Sequence, residues 1–318
     1  MNPITSFSRL LPVLLGCAGV LAAPGRVQAE AAAYAVTDHT TGLVLESANA
    51  QKKLQVGSLT KIATAMVVLD WSEAQKRDLS ELAVVPGSAG SLRETQGVGF
   101  APGDRCSLRD LLYSALMQSD NPAAETLADH VGRALGSSAE GVAPVDTFVA
   151  QMNALAKRLG MPRTKFLNPH GLDSLERSLP YSTAEDLAKL TAYAMNNPAF
   201  RFYVSQKERK ITLHLPAGEQ SAYLLRNTNE LIGTQGIDGV KTGMTRRAGQ
   251  CLIVSAVRAP ESRQEGDQVV ITPRRLNVVV LGAKNRFEEA AQLLARGWQS
   301  YDLWAAAGRP PKGWPPSR

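Results

Sequence analysis

The feature that most constrains what this chain can fold into is Gly57-Ser58-Leu59-Thr60-Lys61 running straight into Ile62-Ala63-Thr64-Ala65-Met66-Val67-Val68-Leu69. An uncharged run of this length behind a lysine predicts a helix buried on every side, not an amphipathic surface helix. Ser58 and Lys61, three residues apart, share one face of it, about one turn from each other. A buried ammonium is costly unless it is paired or gives up its proton. A lysine that can give up its proton is a general base, and a serine one turn away is a group it can activate. Alone, the same spacing also fits a lysine snorkelling out of a core helix.

With 318 residues the chain can bury a large core, as one large domain or two small ones. Its 44% hydrophobic and 20% charged residues are those of a globular protein and exclude a disordered chain. Lys+Arg exceed Asp+Glu by 35 to 29. The excess is spread along the chain and forms no basic stripe, so a nucleic-acid partner is not expected. Residues 1–29 have the layout of a secretory signal peptide: Arg9, an apolar run over 10–23, and Val27-Gln28-Ala29 as a small-residue cleavage site. The expectation is an exported, periplasmic protein cleaved after about Ala29, with lipidation at Cys17 as the alternative. Nothing later in the chain reads as a membrane span, and no transmembrane anchor is expected. Cys106 and Cys251 remain after processing, permitting one bridge at most. The four histidines (His39, His130, His170, His214) are too far apart in sequence for an H-E-x-x-H zinc site, and no G-x-S-x-G elbow is present. Neither metal nor cofactor is expected.

Residues 34–37 and 43–46, around Asp38-His39-Thr40-Thr41-Gly42, predict a β-hairpin. The buried helix is expected to end near Asp70-Trp71. Ser107 starts a helix over 108–117 in a capping-box arrangement with Asp110. Asn121 followed by Pro122 predicts a helix capped by Asn121. Further helices are expected over 145–159 and over 183–196, the latter capped by Ser182, and a strand over 210–215. Residues 240–244 and 251–257 predict a second hairpin, 275–281 a third strand and 285–304 a final helix. The tail over 305–318 is proline-rich. Strands at both ends of a helical middle predict one antiparallel sheet with an inserted helical lobe, and a site in the groove between them.

Three short motifs then stand in one order: Ser58-x-x-Lys61, Ser119-Asp120-Asn121 and Lys241-Thr242-Gly243. Each alone has a plain structural reading, as a helix cap or a strand end. Together they mark the penicillin-recognising serine hydrolases. With Leu111-Leu112-Tyr113, Asn168-Pro169-His170-Gly171-Leu172 and Asp238-Gly239-Val240, the chain resembles the low-molecular-mass penicillin-binding proteins. These are the D-alanyl-D-alanine carboxypeptidases and endopeptidases of the S11 peptidase group.

The resemblance implies an α/β (α+β) fold of the β-lactamase/DD-peptidase kind: residues 30–304 as catalytic domain, with a helical lobe over about 75–235 inserted in the sheet lobe. It implies that Ser58 is the nucleophile, Lys61 its base and Ser119 a proton relay. Asn121, Lys241, Thr242, Gly243 and Met244 are the implied substrate-binding residues, with the Ser58 and Met244 N–H groups as oxyanion hole. The implied partners are peptidoglycan stem peptides ending in D-Ala-D-Ala, with β-lactams as covalent inhibitors. Two departures matter. Gly commonly stands in the group where this chain has Asp120, whose Ser-Asp-Asn form is that of class A β-lactamases. Those enzymes carry a glutamate where Thr164-Lys165-Phe166-Leu167-Asn168 has Thr164. The stretch after Gly243 suffices for the rest of the sheet and one helix, so neither a second domain nor a C-terminal membrane tether is expected; that shortness resembles the endopeptidase branch.

Overall fold

The computed structural model describes residues 30–92, 97–136, 141–173 and 179–310. The signal-peptide and Cys17 readings, and the tail beyond Pro310, lie outside these residues. In chain order the elements are β1 (Ala33–Asp38), β2 (Val44–Ala48), α1 (Lys61–Gln75), β3 (Leu82–Val84), β4 (Arg105–Ser107), α2 (Leu108–Tyr113) and α3 (Asn121–Leu135). They continue with α4 (Pro144–Arg158), α5 (Ala184–Asn196), α6 (Pro198–Ser205), β5 (Glu208–His214), β6 (Gln220–Arg226), β7 (Ile237–Thr245), β8 (Gly249–Glu265), β9 (Gln268–Ala283) and α7 (Arg286–Ala306).

Strand periodicity explains the main sheet, an antiparallel layer in the order β2-β1-β9-β8-β7. Along β9, Leu276, Val278 and Val280 point to one face, where Leu293, Leu294, Trp298, Tyr301 and Trp304 of α7 cover them. Val279 and Leu281 point to the other, into the larger core cluster, where α5 lies against β9. Both faces of the central strands are therefore buried, which is why their sequence reads as nearly continuous apolar runs. The edge strand β7 lies against the turn that carries Ser58.

The helix α1 is buried at every residue from Lys61 to Leu69, as the uncharged run predicts. It does not stop at Asp70-Trp71 but continues to Gln75. Asp70 accepts from Tyr193 Oη at 2.9 Å and from Arg158 Nη2 at 3.3 Å, outside the helix backbone ladder, which runs on past it. Ser58 itself lies in a 3-10 turn, Gly57–Thr60, just ahead of α1.

Three further expectations are corrected. There are two sheets: a four-stranded one, β3-β4-β5-β6, accompanies the helical lobe. Its strands β3 and β4 have three residues each, and β6 is mostly exposed without alternation, so periodicity does not announce them. The α3 cap is Asp120, whose side chain accepts from Ala123 N at 2.9 Å, because the Asn121 amide is turned to Lys61. The α5 cap is Thr183, accepting from Asp186 N at 3.1 Å, because the Ser182 backbone pairs with Leu54 instead. The Ser107 cap on Asp110 N is as expected, at 3.0 Å.

Candidate active site

Lys61 is fully buried, and three oxygens meet its ammonium nitrogen: Ser58 Oγ at 2.9 Å, Asn121 Oδ1 at 2.6 Å and the His170 carbonyl at 2.9 Å. The Asn121 amide oxygen and the His170 carbonyl oxygen can only accept. Toward Ser58 Oγ either atom can donate, so that contact reverses direction when the proton moves from oxygen to nitrogen. This arrangement serves a serine and a lysine that exchange a proton. It joins the first two motifs through Asn121, 60 residues from Lys61.

The loop behind Lys61 is shaped by its own sequence. Asn168 Oδ1 accepts from Gly171 N at 2.6 Å, and its Nδ2 donates to Leu172 O at 3.1 Å, closing a tight turn. Thr64 Oγ1, one turn after Lys61, donates to Pro169 O at 2.6 Å. Two side chains of α1 thus hold two consecutive carbonyls of this loop. His170 contributes its carbonyl to the lysine, while its Nδ1 accepts from Leu172 N at 3.1 Å. Burial, and then the positive charge on Lys61, push the His170 imidazole down to about 3, so it stays neutral. Thr164 spends its hydroxyl on Asp186 Oδ2 at 2.9 Å and on Ser182 Oγ at 2.8 Å.

Ser119 ends a π-helical turn, Ser114–Gln118, in the left-handed conformation with φ 68°, a rare state for a non-glycine residue. Asp120, next to it, is 3% exposed and receives two backbone N–H groups, Ala123 at 2.9 Å and Val98 at 3.0 Å. Burial nevertheless raises its carboxyl above the usual range.

On the other wall, Lys241 is buried and its Nζ donates to Thr242 O at 3.0 Å. Gly243 has no room for a side chain: a Cβ there would lie 2.7 Å from Val56 O and 3.2 Å from Leu59 N. Its lack of a side chain serves the close approach of β7 to the Ser58 turn. A Cβ on Gly57 would lie 3.2 Å from Met244 N, which brings that N–H to the same turn. The Met244 side chain is 65% exposed.

Two residues at this wall escape sequence reasoning. Arg286 Nη1 donates to Gly243 O at 3.2 Å, and its half-burial lowers its pKa. Thr228 Oγ1 lies 2.6 Å from Thr242 Oγ1. Among the described residues no group of three or more His, Cys, Asp or Glu is placed to hold a metal, and no helix is long and apolar enough to cross a membrane.

The sequence profile of the D-alanyl-D-alanine carboxypeptidase family, peptidase S11, matches residues 20–285. The D-alanyl-D-alanine carboxypeptidase DacC of Escherichia coli K12 is 34% identical over 281 residues, covering 86% of this chain. This chain spans 62% of the length of that relative. A D-alanyl-D-alanine endopeptidase of Pseudomonas aeruginosa is 35% identical over 262 residues, which are 80% of this chain and 72% of that protein. Among solved structures, the Streptomyces K15 DD-transpeptidase superposes with a TM-score of 0.71 at 27% identity, covering 86% of this chain and 98% of that one.

Proposed function

The chain belongs to the D-alanyl-D-alanine carboxypeptidase family, and we propose that it is a serine-type carboxypeptidase that removes the terminal D-Ala from peptidoglycan stem peptides. One observation carries the reading: Lys61 Nζ stands 2.9 Å from Ser58 Oγ, backed by Asn121 and the His170 carbonyl. Ser58 Oγ bonds to the carbonyl carbon of the D-Ala-D-Ala peptide as its proton passes to Lys61 Nζ. The carbonyl oxygen, now negative, takes hydrogen bonds from the Ser58 and Met244 N–H groups. The C–N bond breaks, the departing D-Ala amine takes a proton through Ser119, and water then hydrolyses the acyl-Ser58 ester. Asn121 holds the substrate backbone, Lys241 and Thr242 its terminal carboxylate, and Gly243 lets β7 and the Ser58 turn share the same groove. No step calls for a metal or cofactor.

β-Lactams, whose ring amide imitates the scissile bond, acylate Ser58 under the same scheme. With Thr164 tied to Asp186 and Ser182 where a β-lactamase carries its glutamate, the acyl-enzyme persists. The reading also takes residues 30–304 as the catalytic domain with the lobe over about 75–235, and a leader over 1–29 that exports the enzyme to the periplasm. There it trims cross-linkable peptides and so bears on cell shape. The likeness to the Pseudomonas aeruginosa endopeptidase supports a second reading, cleavage of D-Ala-containing cross-links.

Labelling with a fluorescent penicillin, abolished by Ser58→Ala, tests the nucleophile. Incubation with a pentapeptide and with a cross-linked dimer, followed by mass spectrometry, separates the two substrates. A wild-type protein that takes no label, or that turns over a chromogenic cephalosporin many times per second, overturns the proposal.

A further inference from the structure

Thr228 touches both walls of the groove. Its N–H donates to Met117 O at 2.9 Å and its Oγ1 to the same carbonyl at 3.1 Å, two residues before Ser119. The same Oγ1 lies 2.6 Å from Thr242 Oγ1 on β7. Thr228 thus ties the helical turn that leads into Ser119 to Thr242 of the third motif through one side chain. The segment around it is held firmly. Asn227 Nδ2 donates to Gln206 O at 2.9 Å and to Val204 O at 3.2 Å, and Asn229 Nδ2 donates to Gly239 O at 3.2 Å.

A hydroxyl has one proton, and a carbonyl can only accept. With the Thr228 proton on Met117 O, the short contact to Thr242 requires Thr242 to donate, so its proton is spent on Thr228. A carboxylate at Thr242 needs that proton for itself. Met117 O keeps the Thr228 N–H in any case, so the Thr228 hydroxyl can turn and donate to Thr242 Oγ1 at little cost. A hydroxyl that accepts one hydrogen bond becomes a better donor in the next.

The geometry points to Thr228 as a positioning residue that reverses its hydrogen bond to make Thr242 a stronger donor to a ligand carboxylate. The inference rests on the reading of Thr242 as a carboxylate ligand. It gives the enzyme selectivity for ligands ending in a free carboxylate, and it gives Thr228 no contact with the ligand itself.

The test is the acylation rate constant of Ser58 with benzylpenicillin and with its methyl ester, which lacks the carboxylate. The wild type acylates faster with the acid; Thr228→Val loses about tenfold of that preference, while the ester reacts as before. Thr228→Ser keeps the hydroxyl and keeps the preference. Thermal melting monitors folding, and Thr228→Ala carries the comparison if the valine variant fails to fold. A wild type with no preference overturns the Thr242 reading and this inference together. A normal preference in Thr228→Val overturns the inference alone, as does an equal loss for both ligands, which marks a purely structural role.

Discussion

Gly171 faces the backbone of Gly57 so closely that a Cβ on it would lie 2.0 Å from the Gly57 carbonyl oxygen and 2.8 Å from Thr60 Oγ1. Its φ of +81° is also one that side-chain-bearing residues avoid. The contact joins the loop whose carbonyl holds Lys61 to the turn that carries Ser58, so nucleophile and base are set by a single interface between backbones. Gly171→Ala is therefore expected to destabilise the protein by at least about 3 kcal/mol, combining backbone strain with an overpacked contact. Urea unfolding measures it. A loss under about 1 kcal/mol, a value within reach of a relaxed loop, sinks the argument.

The neutral His170 predicts an acid-sensitive fold. Its pKa falls from 6.5 to about 3 on folding, because burial and the Lys61 charge both oppose protonation. The unfolded chain therefore takes up a proton near pH 6.5 that the folded one refuses. Stability from this group is complete above that pH and is lost as pH falls toward 3, by about 2 kcal/mol at pH 5. His170→Gln removes this titrating group. Its unfolding free energy should change less between pH 7 and pH 5 than that of the wild type, and equal slopes refute the assignment.

Why the centre of the site is legible in the sequence, and its edges are not, follows from the range of the interactions. Ser58 and Lys61 sit one turn apart beside an uncharged run, and local rules see such patterns. The cap at Ser107 is equally local. Asp120 and Asn121 are both good capping residues. The choice between them is made by Lys61, 60 residues away, which draws the Asn121 amide to itself. Thr228 carries no signal at all, since its partners Met117 and Thr242 meet it only through the tertiary fold. The long arm formed by β8 and β9 beyond Val257 is likewise unannounced. Its residues are mostly exposed, so no face of it needs to be apolar.

The cysteines are expected to be silent in the native protein. Cys106 lies in β4 of the smaller sheet and Cys251 in β8 of the larger, both as free thiols. Burial pushes their pKa values up to about 12 and about 11. Since the thiolate is the reactive form, neither should react with a thiol reagent until the chain unfolds. Ellman's reagent on the processed enzyme should release no colour in buffer and show both thiols in guanidinium. Rapid labelling of either site in the native state contradicts the placement.

Asp120 replaces the more usual glycine of the second motif, and its carboxylate has work of its own. One oxygen caps α3 through Ala123 N, and the other holds Val98 N, fastening the 97–100 segment beside Ser119. Removing both acceptors with Asp120→Ala should cost about 2 kcal/mol, from the lost cap and a poorly satisfied Val98 N–H. Asp120→Asn keeps one acceptor oxygen and should fall between. The pH dependence separates the two variants from a general packing defect. Burial raises the Asp120 carboxyl above its ordinary 3.8, so its protonated form is favoured in the folded state. Its contribution is greatest below 3.8 and declines as pH rises through the raised value. Asp120→Asn has no such decline, so its deficit relative to the wild type should be larger at pH 4 than at pH 7. Guanidinium unfolding at the two pH values checks this, and a deficit that grows with pH would count against a buried carboxylate at this position.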